Sequence, residues 1–112
     1  MQQIGTIASM QVGTPHRYGT PGAAPPERAW RTSFFRAPSA EPRWLFTTHL
    51  DGNRQADTKH HGRLDQAVLL YAAAHYPLWR EELDLPEMGP GGFGENFTVA
   101  DLSEATACIG DV

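Results

Sequence analysis

Glycine and proline interrupt this chain so often that few of its segments can run long: 11 glycines and 9 prolines stand among 112 residues, against roughly 12% expected from average usage. Such punctuation favours short strands joined by turns over long helices. A 40% apolar and 20% charged composition is that of a chain that folds rather than one that stays disordered. A length of 112 residues sets one domain as the expectation, covering 1–112, with an irregular loop at 13–28. The expected class is mainly β with a few helices (α+β), with one or two short helices around residues 65–83.

The formal charge of −4 and the lack of any Lys/Arg cluster argue against nucleic acid as a partner. No stretch approaches the roughly 20 apolar residues of a membrane span, and the N-terminus has no basic region leading into an apolar core. A cytoplasmic protein without a membrane partner is expected. The one cysteine, Cys108, cannot close an internal disulfide or build a Cys-rich zinc site, and its apolar surroundings read as a small core residue.

Along the chain, residues 4–12 read as a strand, and 29–36 and 43–50 as two more, paired as a hairpin around Pro38 to Pro42. After Asp51-Gly52, a polar loop runs to residue 64. Asp65 stands as an N-cap before "QAVLLYAAAHY", whose apolar residues on nearly every face predict a helix buried on several sides. Pro77 suits the first turn of a second helix over 77–83, with Trp79 inward. The four glycines at 89, 91, 92 and 94 make 86–97 a loop. "FTVADL" and "ATACIGDV" end the sequence as short β segments with a turn at 101–105.

Chemistry concentrates in two places. His60 and His61 are adjacent, so their side chains diverge on either a strand or a helix, and His49, His75 and Asp57 lie at no recognised ligand spacing. Three readings stay open: a His/carboxylate metal site, two packed histidines, or an imidazole that joins Lys59 and Arg63 against an anion beside a helix start. The second place is "GPGGFGENF", where glycines let backbone approach a ligand. There Glu95 and Asn96 either offer polar groups to a heterocycle or form a solvated turn. Ser33 and Arg36 in "RTSFFR" are candidate phosphate contacts with a weak signal of their own.

Two stretches, "QADTKHHGRLDQAVLLYAAAHYPLWREEL" (55–83) and "GPGGFGENFTVADLSEATACIGDV" (89–112), resemble the N-terminal part of a MOSC domain, the molybdenum cofactor sulfurase C-terminal domain, in its YiiM-like subfamily. The resemblance runs from about Trp30 to the end of the sequence. It implies a partial β-barrel-like fold that binds a molybdenum-pterin cofactor (Mo-molybdopterin), and an oxidoreductase acting on N-hydroxylated compounds such as N-hydroxylated purines, with a redox partner protein and a homodimer among its partners. At family level it also carries pyridoxal phosphate binding. It assigns Ser33 and Arg36 to the phosphate, Lys59, His60, His61 and Gly62 to the pocket lining, and Glu95 and Asn96 to the pterin or substrate; no catalytic residue is assigned.

Two departures stand out. Relatives usually carry Gly-Asp where this chain has Gly52-Asn53, and His-His-Gly-Gly-Pro-Asp where it has His60-His61-Gly62-Arg63-Leu64-Asp65. The resemblance places the molybdenum-ligating cysteine on a strand after the Ile-Gly-Asp turn, where this sequence ends, so the ligand role is not carried to Cys108, no metal ligand is assigned, and these residues alone are expected to bind molybdenum poorly or not at all. The competing expectation is a non-enzymatic MOSC module that binds a phosphorylated small molecule or completes its barrel with a partner chain; a His/carboxylate metal hydrolase is a third.

Overall fold

The computed structural model describes residues 5–57, 59 and 66–107. Two antiparallel strands, β1 (Thr6–Val12) and β6 (Phe97–Ala100), form the centre. β4 (Ala37–Pro38) pairs with β1 on one side, and β5 (Leu70–Ala72) with β6 on the other, giving the order β4-β1-β6-β5. β2 (His16–Tyr18) and β3 (Trp30–Thr32) make a separate two-stranded ribbon. The sheets are open, and the architecture is mainly β as expected.

The 4–12 strand is present as β1, with a register shift between Ile7 and Ser9 that bends it against β6. The hairpin of 29–36 with 43–50 is not. β3 instead pairs with β2, inside the segment predicted to be irregular loop, and the rings of Tyr18 and Trp30 meet at 5.3 Å across that ribbon. Residues 43–50 contribute only one antiparallel bridge, Leu45 to Leu50. Proline at 42, just before the segment, has no N–H to donate, and among the described residues no strand pairs with 43–50.

The larger correction concerns the buried helix predicted after Asp65, a residue outside the described set. Residues 70–72 are β5, parallel to β6 in the register Leu70 to Phe97, Tyr71 to Thr98 and Ala72 to Val99. A 3-10 turn, Ala73–His75, follows. A short apolar run fits a buried helix and a buried strand equally in sequence, and tertiary pairing decides. Here Leu69 decides it: its N–H donates to Asn96 Oδ1 (3.1 Å) and its C=O accepts from Asn96 N (2.8 Å), which locks the segment onto the start of β6.

The second predicted helix is α1 (Tyr76–Glu82). Pro77 sits at its first turn, where the missing N–H is no loss. The helix ends as Leu83 N donates to Trp79 O and Asp84 turns left-handed at φ 52°. Successive tight turns through the glycine loop return the chain to β6, which covers the first part of the predicted 97–102 segment. The closing segment shows a turn at 104–106; residues 108–112 lie outside the described set.

The centre of this fold is unusually polar. Among the described residues, Leu50, Ala72, Tyr76 and Val99 are the buried apolar side chains, while Gln11, Ser33, Asn53, Glu95, Asn96 and Thr98 are buried polar ones. Polar groups removed from water cost free energy unless bonded. Hydrogen-bond complementarity around β1 and β6 therefore specifies this core more than apolar area does.

Candidate functional site

A cavity of about 600 Å³ opens between the ribbon and the main sheet. Its walls come from four segments: the end of β3 and the residues after it (Arg31 to Phe34, and Arg36), Asn53 and 55–57 after the Asp51-Gly52 turn, 66–69 before β5, and Phe93, Gly94 and Asn96 before β6. Arg31, Arg36 and Asp57 bring the charge, and Phe34, Val68 and Phe93 bring apolar surface. Two guanidinium groups against one carboxylate make the described walls net positive within an acidic chain.

Arg36 is the best-anchored cation. Its Nη1 donates to the carbonyl of Gly94 and, at 3.5 Å, to Asn96 Oδ1. Its Nε is buried and has no partner among the described residues. Burial lowers its pKa from the ordinary value, while the nearby charge of Glu95 pulls the other way. The close approach of Gly94 to the Phe34 ring needs glycine twice over. A Cβ there would fall 2.7 Å from Phe34 Cδ2, and the backbone stands at φ +73°.

Asn96 joins this wall to the sheet. Its Nδ2 donates to Gln11 O (3.1 Å), its Oδ1 accepts from Leu69 N (3.1 Å), and its own carbonyl accepts from Gln11 N (2.8 Å). The amide of Gln11 is best satisfied with its nitrogen donating to the carbonyls of Asn96 (3.2 Å) and Glu95 (3.3 Å) and its oxygen accepting from the Ser9 hydroxyl. With Gln11 wholly buried, each of these bonds replaces one to water.

Glu95 lies behind the wall. Its side chain is wholly buried and absent from the cavity lining. Its Oε2 accepts from the Tyr76 hydroxyl and from Thr98 Oγ1 (2.9 Å), and its Oε1 from Phe93 N (3.3 Å). The chain bends at Asn96, just before β6, and Asn96 lines the cavity while Glu95 lies in the core. Around this carboxyl the rings of Tyr71, Tyr76 and Trp79 pack on Phe93 at 4.6, 5.9 and 5.6 Å, and Trp79 Nε1 donates to Tyr71 OH.

Tyr76 carries a pH consequence. Burial first, then the hydrogen bond and charge of Glu95, push its phenol above the ordinary value of 10.0. A folded pKa above the unfolded one contributes stability that is full below pH 10 and is lost as pH rises beyond it. The thermal midpoint of the wild type should therefore fall on titration above pH 10, and more steeply than that of Tyr76→Phe. Equal alkaline slopes for the two proteins would remove Tyr76 as the cause.

Of the residues expected at a site, the structure brings Ser33, Arg36 and Asn96 together on one cavity, with Ser33 only 6% exposed. Lys59 is exposed and off the wall, its N–H bonded to Asp57 Oδ1 at 3.1 Å. His60, His61, Gly62 and Arg63 lie outside the described residues. Among the described residues no three His, Cys, Asp or Glu are grouped to hold a metal ion; His49 stacks on Phe46 and His75 bonds Glu104. No helix among them is long and apolar enough to cross a membrane. Arg31, Gln55 and Asp57 are cavity residues that sequence reading did not assign to a site, and Asn53 it noted only as a departure; for Arg31, its place two residues before Ser33, the side-chain repeat of a strand, was the available signal.

The family model described as MOSC domain matches residues 57–112, the second half of the chain. YflK of Bacillus subtilis (strain 168) is 36% identical over 111 residues, which is 99% of this chain and 48% of YflK. A protein named reductase from Gibberella moniliformis (strain M3125 / FGSC 7600) is 35% identical over 74 residues, 63% of this chain and 13% of that protein. The crystal structure of YiiM from Geobacillus stearothermophilus superimposes with a TM-score of 0.64 at 26% identity, covering 96% of this chain and 44% of that one. The chain thus spans about half the length of YflK or less of the others.

Proposed function

This chain belongs to the MOSC domain family, and from that premise we propose that its cavity holds the phosphate and pterin ends of a molybdenum cofactor, in a protein that reduces N-hydroxylated compounds such as N-hydroxylated purines. The observation that carries the reading is Arg36: a guanidinium tethered by one nitrogen, with a second buried nitrogen that has no partner among the described residues, on the wall of a cavity of about 600 Å³. An unpaired buried donor costs about 1–3 kcal/mol. An oxyanion that bonds it recovers that cost.

The residues present fit the organic part of such a cofactor. Ser33 and Arg36 would take the phosphate, and Asn96 and Gln55 offer amide edges to a heterocycle. Phe34, Val68 and Phe93 supply apolar surface that excludes water from one side. When bound, the group supplies two-electron redox chemistry at its metal, and the protein supplies binding, orientation and electrostatics. Cys108 lies outside the described residues, and no metal ligand is assigned to it. The relative named reductase supports a redox role at the level of the family.

A second reading, a non-enzymatic module that takes a phosphorylated small molecule, is favoured by the open sheets. β5 is a three-residue edge whose Leu70 is 47% exposed. Protein purified from cells that make the cofactor separates the two. Pterin released by oxidation and read by fluorescence should be present in the wild type and fall at least about tenfold in Arg36→Ala, the loss expected for one charged hydrogen bond, while molybdenum measured alongside should be low in both because no metal ligand is assigned in this chain. Phosphate binding without any released pterin would overturn the cofactor reading in favour of the module.

A further inference from the structure

Arg17 and Arg31 stand directly opposite each other across the β2–β3 ribbon. Residues so placed share a face, with Cβ atoms about 5 Å apart, and like charges there repel. Both side chains are exposed, and neither has an ion-pair partner among the described residues. The surrounding sequence gives no relief: across residues 13–37 four arginines meet one carboxylate, Glu27, in a chain of net charge −4. A ribbon of two three-residue strands has little stability of its own. What holds it is its other face, where the rings of Tyr18, Trp30 and Phe35 meet at 5.2 to 6.0 Å. Two repelling cations thus sit on a short ribbon that would be more stable without one of them.

The cavity gives this pair a use. Arg31 lines it, and alternation along β3 turns Arg31 away from Trp30, to the side that Arg17 shares. Depth separates the pair from Arg36. Asn96, which bonds Arg36, is 2% exposed, whereas Arg31 is an exposed residue of the same wall and so marks its opening. Between the two arginines in sequence, the half-exposed ring of Phe34 also lines the cavity.

We infer that Arg17 and Arg31 form a second anion subsite, at the cavity mouth, which takes the phosphate of the substrate, so that the substrate is an N-hydroxylated nucleotide and not the free base. The inference rests on the proposed function and adds the substrate class. A phosphate monoester set between the two guanidinium groups offsets both charges, and each planar fork matches its oxygens. A neutral nucleoside leaves the repulsion in place.

Equilibrium titration with adenosine 5′-monophosphate and with adenosine tests this. The monophosphate should bind at least about tenfold more tightly, the scale of a hydrogen bond to a charged group. High salt should remove most of that difference, because the cations that carry it are exposed. With Arg17→Gln and Arg31→Gln combined, the two affinities should converge. Without ligand, each single variant should melt level with or above the wild type, since either change relieves the repulsion; a purely structural role would lower the midpoint. In the wild type, the Nε–H NMR signals of Arg17 and Arg31 should shift with the monophosphate and stay still with adenosine, a readout that stands even if the variants fail to fold. Equal affinities in the wild type would overturn the assignment. So would a preference that survives in the double variant but is lost in Arg36→Ala, which would put the phosphate at the inner end. Inorganic phosphate binding as tightly as the monophosphate would leave a plain anion site and remove the nucleotide. Pterin release from the wild type is measured separately, so the cofactor reading stands or falls apart from this result.

Discussion

Glu95→Ala should leave the protein largely unfolded on moderate warming, with a thermal midpoint about 10–20 °C below the wild type. The substitution takes the acceptor from two buried hydroxyls, Tyr76 OH and Thr98 Oγ1, and from Phe93 N. Each orphaned buried group costs about 1–3 kcal/mol, and the void left by the side chain adds to this. A domain whose whole stability is about 5–15 kcal/mol has little reserve against such a sum. Glu95→Gln is the informative control: it fills the space and keeps one acceptor oxygen, but its NH2 faces donors, so an intermediate midpoint is expected. Melts followed by circular dichroism check both. An alanine variant melting within a few degrees of the wild type would show that the carboxyl is dispensable to the core.

This dependence on a carboxyl explains which elements could be read in advance. β1, α1 and β6 carry local signals: β-branched residues bounded by turns, a proline at a helix start, an apolar run after a glycine loop. They appear close to where residues 4–12, 77–83 and 97–102 predict them. Residues 66–76 misled, because an apolar run of that length argues for a helix, although only its middle is a strand. What settles it is the bonding of Leu69 to Asn96, 27 residues away. The β2–β3 ribbon was hidden for a related reason. β3 lies within the strand read over 29–36, but β2 is three residues inside the Gly/Pro-rich stretch and does not exceed the background of a loop, so the pairing partner was missed.

The site divides in the same way. Ser33, Arg36 and Asn96 were legible through the resemblance, and the cavity unites them. Glu95 was grouped with Asn96 because the two are adjacent and polar, but the adjacent side chains part, one lining the cavity and the other buried in the core. The polar type of Glu95 signalled a demanding position; only its neighbours Tyr76 and Thr98 show that the demand comes from the core. Asn53 drew attention as a departure, and its buried Nδ2, without a partner among the described residues, is a property of packing that no spacing rule contains.

Asn96→Ala should damage fold and cavity at once. The side chain spans β1, the approach to β5 and the cavity cation, through Gln11 O, Leu69 N and Arg36 Nη1. Truncation strips Leu69 N and Gln11 O of a buried partner, at about 1–3 kcal/mol each, and releases one of the two tethers of Arg36. The expected result is a loss of about 2–5 kcal/mol in denaturant unfolding together with at least about tenfold weaker pyrophosphate binding. Asn96→Asp separates the two effects. It keeps the acceptor for Leu69 N and Arg36 Nη1, but sets an oxygen against Gln11 O in place of the donor. Its stability should therefore fall through β1 alone, while its added negative charge closes on Arg36 and competes with an incoming anion. An Asn96→Ala protein that bound pyrophosphate as tightly as the wild type would mean that the Gly94 carbonyl alone holds the guanidinium in place, and that the polar core and the cavity are independent features of this fold.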